Sequence, residues 1–199
     1  EWGTWYDKLP GTKEGFLQQQ NTVRDALVAG INLNIFNNHA DRISMANIAQ
    51  IVNVLQSMIL TKGAEMVKTP TYHVFKMYNV HQDANLVPIQ LETENYQFED
   101  KSIPALTASA SEKNGTISLT ITNANPNKPV SINCEFGSNS KIIDSKIVTG
   151  KKITDYNDFG KEERVTTSNF SVGNIKNGTL KLEIPAHSVI LIKLNVKNM

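Results

Sequence analysis

The first seven residues, EWGTWYD, place the carboxylate of Glu1 next to the aromatic side chains of Trp2, Trp5 and Tyr6. Aromatic rings pack against the apolar C–H face of a sugar, and carboxylates act as acid, base or nucleophile at an anomeric carbon. This segment therefore predicts a site for sugar chemistry. The alternative is that the aromatic side chains fill a core or an interface, and composition alone favours that alternative.

Other residue types that carry chemistry show no comparable pattern. The four histidines lack metal-ligand spacing, so we predict no metal site, and we expect His73 and His81 to be solvated or to lie at a helix end. Cys134 falls in an alternating apolar run, which favours an inert core thiol over a nucleophile. Residues 11–13 (GTK) lack the remainder of a phosphate-binding loop.

Two predicted helices must help to position the opening segment. Thr22 and Asp25 have the spacing of a capping box, and apolar residues then recur every three or four positions until residues 37–39 end the helix. A second helix is predicted to begin at Thr69 and Pro70, a cap followed by a proline in the first turn. One face of that helix carries Thr71, Val74, Phe75 and Tyr78.

An apolar run at residues 43–54 lies between the two helices. Its beginning predicts a strand buried on both faces, as in a parallel sheet. A parallel strand needs neighbours on both sides, so we expect residues upstream of Glu1 in the intact protein to complete this half.

The hydrophobic period changes to two after about residue 84. Apolar side chains alternate in five runs, at residues 106–110, 117–121, 130–136, 180–184 and 190–196. Asn114-Gly115 and Asn177-Gly178 mark tight turns between such runs. This pattern predicts an antiparallel β-sandwich or jelly roll. We therefore predict an α/β unit over residues 1–84 and an all-β unit over residues 85–199.

Charge and composition exclude several function classes. The 199 residues carry 20 basic and 19 acidic side chains, a net charge of +1, so no electrostatic drive toward nucleic acid is predicted. No segment approaches the roughly 20 apolar residues that span a bilayer, so a membrane is not an expected partner. The single cysteine excludes an internal disulfide. The sequence leaves the cellular compartment open.

The opening residues EWGTWY resemble the stretch that carries the catalytic nucleophile in α-L-arabinofuranosidases of glycoside hydrolase family 51. The likeness continues in order and with natural spacing through GFLQQQNTVRDAL (15–27), NIFNNHADR (34–42), MANIAQIVNVLQ (45–56) and TPTYHVFKMY (69–78). In the second half it is clearest at residues 184–190, IPAHSVI. The resemblance thus covers nearly the whole first half. The second half resembles the family's C-terminal jelly roll only in its pattern of apolar residues.

This resemblance implies the end of a (β/α)₈ barrel, in the region of its seventh and eighth strands, followed by a C-terminal β-sandwich. It implies that Glu1 is the nucleophile of a retaining mechanism and that Gln50 binds the furanose. Trp5 resembles an aromatic residue near the same pocket. Asn53, three residues beyond Gln50, could support the site, but we expect it to be a structural amide. The resemblance further implies no metal or organic cofactor, an arabinofuranosyl-containing oligo- or polysaccharide as substrate, and a homo-oligomer for the intact enzyme.

A retaining mechanism needs a second carboxyl group about 5 Å from the nucleophile. In the family this is a glutamate that follows an asparagine, and no Asn-Glu dipeptide occurs in the sequence. We therefore expect the acid/base residue to lie outside this chain and the chain alone to be inactive. The alternatives are a β-sandwich that binds carbohydrate, or one that has a structural or oligomerisation role without catalysis.

Overall fold

A computed structural model describes residues 1–136 and 140–196. The first half contains two helices and a hairpin: α1 (Val23–Asn38), β1 (Ile59–Lys62), β2 (Glu65–Lys68) and α2 (Pro70–Tyr78), followed by a 3₁₀ turn (Asn79–His81). Ten strands follow: β3 (Asn85–Val87), β4 (Asn95–Phe98), β5 (Lys101–Pro104), β6 (Leu106–Lys113), β7 (Thr116–Asn123), β8 (Val130–Glu135), β9 (Ser140–Val148), β10 (Thr167–Asn169), β11 (Thr179–Ile184) and β12 (Ser188–Val196). In the described part of the chain, no helix combines the length and apolar character that crossing a membrane requires.

Both helices begin where the sequence predicts. The Thr22 hydroxyl accepts a hydrogen bond from the Arg24 N–H at 3.2 Å, and the Asp25 carboxylate accepts one from the Thr22 N–H at 2.8 Å. The Thr22 side chain also accepts from the backbone N–H of Asp25, which completes the reciprocal pair of the capping box. These bonds satisfy donors that a helix start leaves free. Helix α2 has Thr69 as its cap, with the Tyr72 N–H donating to the Thr69 hydroxyl at 3.4 Å, and Pro70 follows.

The predicted strand at the start of residues 43–54 is wrong. Only Ile48 and Val52 form isolated parallel bridges, with Trp2 and Ile59, and residues 43–46 are exposed or half-buried instead of covered on both faces. The physical reason is pairing: in the described structure this segment meets the opening residues through a single bridge, and one bridge does not sustain a parallel ladder.

The antiparallel half is confirmed by its strand pairing. Six strands form one sheet in the order β10-β9-β12-β7-β6-β3, and β8 pairs with β11 while β4 pairs with β5. Each neighbouring pair is antiparallel. Asn114 and Gly115 both have positive φ angles (54° and 76°), as a two-residue hairpin turn between β6 and β7 requires.

The six-stranded sheet is covered on both faces. Alternate residues of β6, β7, β9 and β12 pack against β8 and β11 in one apolar core, which contains Leu106, Ile121, Ile147, Leu180, Leu182, Ile184, Ile190, Ile192 and Leu194. On the other face, Val148, Val189 and Leu191 form a second core with α1 and α2. Because β12 is buried from both sides, its sequence VILI is continuously apolar.

The two helices are therefore part of the same packed body as the sheet. Val23, Ala26 and Leu27 of α1 and Val74 and Met77 of α2 are buried in the second core. The result is a layer of helices, a central sheet and a smaller second sheet, in which the elements before residue 85 rest on strands after it.

Candidate active site

The opening segment lies beside residues 47–49. The Trp2 N–H donates to the Asn47 carbonyl at 2.9 Å and the Ala49 N–H donates to the Trp2 carbonyl at 2.9 Å, so the two segments run parallel. Gly3 has a φ of +146°, and a side chain there would bring its Cβ to 3.2 Å from the Ala49 carbonyl oxygen. The glycine thus permits the close approach of the two segments.

Glu1 and Gln50 flank this parallel contact. Glu1 immediately precedes Trp2 and Gln50 immediately follows Ala49, and both side chains are exposed to solvent. The contact therefore brings together the two segments that carry the predicted nucleophile and the predicted sugar-binding amide. A carboxylate and an amide in neighbouring accessible segments suit covalent attack on a sugar and hydrogen bonding to its hydroxyl groups.

The two tryptophans of the opening segment have different environments. Trp2 stacks on Phe75 of α2, with ring centroids 5.9 Å apart, and meets Phe36 of α1 edge-on at 5.4 Å. Trp5 is 69% exposed. Trp2 thus fills an interface, which is the alternative that composition favoured, whereas the Trp5 indole is available to a ligand.

Polar side chains buried beneath the segment were not predicted. Gln19 and Gln56 are 2% and 0% exposed, and their side-chain oxygens accept hydrogen bonds from the N–H groups of Tyr6 and Thr4, each at 2.9 Å. Asp25 is also fully buried and accepts from the Thr4 hydroxyl at 3.1 Å. In the sequence, Gln19 is one of three consecutive glutamines and Gln56 follows an apolar run. Neither position indicates that the side chain is buried or which residue it contacts.

Arg24 adds a positive charge at the edge of the site. Its guanidinium lies 3.3 Å from the Asp25 carboxylate and stacks over the Tyr6 ring at 3.8 Å from the centroid. Burial raises the pKa of the Tyr6 hydroxyl, and the nearby Arg24 charge opposes that shift. One face of the Tyr6 ring is thus covered by the guanidinium, while the residue as a whole remains 38% exposed.

The remaining candidate residues make contacts within the chain. Asn53 forms two hydrogen bonds with Thr61, at 2.8 and 2.7 Å, as a structural amide would. His73 is 6% exposed within α2, so the expectation of a solvated or helix-end position is wrong for that residue, and burial lowers its pKa. His81 ends the 3₁₀ turn, as expected. Within residues 1–136 and 140–196, no three His, Cys, Asp or Glu side chains are grouped to hold a metal ion.

Comparison with known proteins identifies the family. Residues 1–188 match the family model described as the α-L-arabinofuranosidase C-terminal domain. The chain is 48% identical over 197 residues to an intracellular exo-α-L-arabinofuranosidase of Bacteroides ovatus. The aligned region covers 98% of this chain and 38% of that protein. It is 24% identical to an intracellular exo-α-(1→5)-L-arabinofuranosidase of Bacillus subtilis, again over 38% of that protein's length. The chain thus spans well under half the length of these relatives.

Solved structures agree with the sequence comparison. The arabinofuranosidase of glycoside hydrolase family 51 from Xanthomonas axonopodis pv. citri superposes with a TM-score of 0.93 at 44% identity, over 97% of this chain and 40% of that one. An α-L-arabinofuranosidase from Thermotoga maritima shares the fold, with a TM-score of 0.81 at 19% identity, over 98% of this chain and 42% of that one. This chain therefore belongs to the α-L-arabinofuranosidase C-terminal domain family, as found in the arabinofuranosidases of glycoside hydrolase family 51.

Proposed function

We propose that this chain supplies the nucleophile and part of the sugar-binding surface of a retaining, exo-acting α-L-arabinofuranosidase. The enzyme would remove terminal α-L-arabinofuranosyl residues from arabinose-containing oligo- or polysaccharides. The observation that carries the proposal is the parallel contact of Trp2 with Ile48, which sets the segments of Glu1 and Gln50 side by side.

In this mechanism the Glu1 carboxylate attacks the anomeric carbon and forms a covalent arabinosyl-enzyme as the bond to the leaving-group oxygen breaks. A second carboxyl group, about 5 Å from the first, protonates that oxygen and later deprotonates the attacking water. We propose that this acid/base glutamate comes from a part of the enzyme outside these 199 residues. Gln50 would hydrogen-bond the furanose, and the exposed Trp5 indole would pack against its apolar face.

We further propose that residues 1–84 are the end of a (β/α)₈ barrel and residues 85–199 a C-terminal sandwich. The parallel contact between the opening segment and residues 47–49 supports a barrel origin, because barrel strands are parallel and their carboxyl ends carry the active site. The chemistry needs no metal or organic cofactor in this scheme. The intact enzyme is proposed to be a homo-oligomer, which size-exclusion chromatography with light scattering would test.

A structural role for the sandwich is the second candidate, and one observation favours it. The six-stranded sheet buries Val148, Val189 and Leu191 against the helices that flank the opening segment. A sheet used in this way acts as a support for the site. Depletion of the 199-residue chain carrying Trp5→Ala and Gln50→Ala on immobilised arabinan tests the competing carbohydrate-binding role of the sandwich: a support stays in the supernatant, whereas a binding module is retained.

The activity is tested with p-nitrophenyl α-L-arabinofuranoside. We expect no p-nitrophenol release by the 199-residue chain and turnover by the full-length protein that contains it. In the full-length protein, Glu1→Gln should lower kcat by at least about 10³-fold because the nucleophile is lost. Asp7→Asn, which neutralises an exposed carboxylate in the same segment, is the matched control and should keep near-normal turnover.

Two outcomes would contradict the proposal. Near-normal turnover by Glu1→Gln would remove the nucleophile assignment. Turnover by the 199-residue chain alone would show that the second carboxyl group lies within it.

A further inference from the structure

The exposed indole of Trp5 sits on a backbone that is fixed on both sides. The N–H of Thr4, on one side of Trp5, donates to the Gln56 side-chain oxygen at 2.9 Å. The N–H of Tyr6, on the other side, donates to the Gln19 side-chain oxygen at 2.9 Å. Loops lie on the surface, where water can satisfy their amides, so two amides bound to buried side chains restrict the backbone of Trp5 in a way that water would not.

The two glutamines are themselves held in a single orientation. The Gln56 amide nitrogen donates to the Asp25 carbonyl at 2.8 Å, and the Gln19 amide nitrogen donates to the Thr4 hydroxyl at 2.9 Å. Rotating either amide by half a turn would set its NH₂ group against a backbone N–H, and two donors repel. Since both side chains are at most 2% exposed, water does not replace the lost bonds.

The Thr4 hydroxyl ties this arrangement to helix α1. It accepts from Gln19 and donates to the Asp25 carboxylate at 3.1 Å, while the other Asp25 oxygen accepts from the Thr22 N–H in the capping box. One buried carboxylate thus closes the start of the helix and anchors the residue next to Trp5.

We infer that Gln19, Gln56 and Thr4 are positioning residues that hold the Trp5 indole ready for the sugar. This inference rests on the proposed function, in which Trp5 contacts the furanose. A side chain that is fixed before the ligand binds loses little conformational entropy on binding. Its contact with the sugar therefore contributes more to the binding free energy than the contact of a mobile indole would. The glutamines do not touch the substrate and act through the backbone of Trp5.

Thr4→Val in the full-length enzyme is the primary test, because valine keeps the shape of threonine and removes both hydrogen bonds of the hydroxyl. We expect kcat/KM for p-nitrophenyl α-L-arabinofuranoside to fall about 10-fold. Thr4→Ser, which keeps the hydroxyl, should restore most of that loss. Thr12→Val is the matched control, since the Thr12 hydroxyl bonds only the Leu9 carbonyl among the contacts of the described residues, and it should leave kcat/KM unchanged.

A double-mutant cycle separates positioning from a general loss of structure. If Thr4 acts through the indole, Thr4→Val should have almost no further effect in a Trp5→Ala background. Gln19→Met and Gln56→Met should behave in the same way. An equal 10-fold loss in both backgrounds, or no loss in either, would overturn the inference. Either result would leave the proposed function standing as long as Glu1→Gln remains inactive, so the two failures are distinguishable.

Discussion

The two faces of the six-stranded sheet are covered by different kinds of contact. The face toward β8 and β11 is lined by aliphatic side chains from strands on both sides. The face toward the helices also contains a buried polar cluster, in which the Asn34 side-chain oxygen accepts hydrogen bonds from Tyr78, Ser109 and Thr120, each at 2.9 Å. Burial raises the pKa of the Tyr78 hydroxyl to about 12, so it remains a donor.

This difference between the two sheet faces indicates which neighbouring elements must be held in one defined position. Aliphatic packing is non-directional and tolerates small shifts between layers. Hydrogen bonds between buried groups fix one arrangement, because any other leaves a group unsatisfied. The helices on the polar face hold Trp2 through Phe36 and Phe75 and carry Asp25. Directional contacts are therefore found on the face that supports the candidate site.

The largest expected effect is a cavity on the aliphatic face. Ile192→Ala removes a fully buried side chain from β12 and should lower the free energy of unfolding by about 3–4 kcal/mol, from lost burial and the cavity that remains. Urea unfolding of the 199-residue chain measures it. Ile143→Ala on β9, where the side chain is 51% exposed, is the control and should change stability little. Equal losses for both variants would contradict the aliphatic core described here.

The polar face should respond to pH. The His81 ring nitrogens lie 2.7 Å from the Ser111 hydroxyl and 3.0 Å from the Thr120 hydroxyl, and burial lowers its pKa from 6.5 to about 4. Between these values the unfolded chain binds a proton that the folded chain excludes, so stability falls as pH drops from about 6.5 to 4. The full shift corresponds to on the order of 3 kcal/mol.

Urea unfolding at pH 7 and pH 4.5 measures this dependence. His81→Gln should reduce this dependence and leave the contribution of His73, whose pKa burial also lowers, while the exposed His39→Gln should preserve the slope of the unmodified chain. If the free energy of unfolding of His81→Gln changed with pH as much as that of the unmodified chain, His81 would not be a source of the pH dependence. Ile192→Ala, on the other face, should lower stability by a similar amount at both pH values.

The smallest expected effect comes from the closeness of α1 to the sheet. A Cβ at Gly30 would collide with the Thr122 hydroxyl and lie 3.1 Å from a Val189 methyl group. Gly30→Ala should therefore lower the free energy of unfolding by about 1–2 kcal/mol, since crowding outweighs the better helix propensity of alanine. Gly173→Ala, whose Cβ would have its nearest neighbour at 3.9 Å, is the control. A stabilised Gly30→Ala variant would show that the layers separate easily.

Much of the fold follows from local signals. The capping box at Thr22 and the Thr69-Pro70 pair gave both helix starts, and the two-residue period gave β6, β7, β8, β11 and β12. Strand β9 was not predicted, because its sequence SKIIDSKIV has charged residues on a half-buried strand and its place between β10 and β12 depends on long-range pairing. The expected strand near residue 43 failed because its pairing also depends on distant residues.

The residue types of the opening segment predicted sugar chemistry, but the individual roles of the site residues were predictable only through the resemblance to a family. Glu1, Trp5 and Gln50 were named from motifs, and their roles remain predictions. The contacts of Gln19, Gln56 and Asp25 with the opening segment join residues 13 to 52 positions apart, and no local period encodes such pairs. A buried glutamine looks like any other polar residue until its partner is known.

The central place of β12 in the sheet also sets the order of events during synthesis. Part of the apolar face of helix α1 is sealed by Val189 and Leu191, which are synthesised long after it because they lie far downstream in the sequence. At a ribosomal rate of about 5–20 residues per second, that face waits on the order of ten seconds for its cover. During this interval that face of α1 lacks its cover, and the segment that carries Glu1 gains its final support only when β12 has emerged.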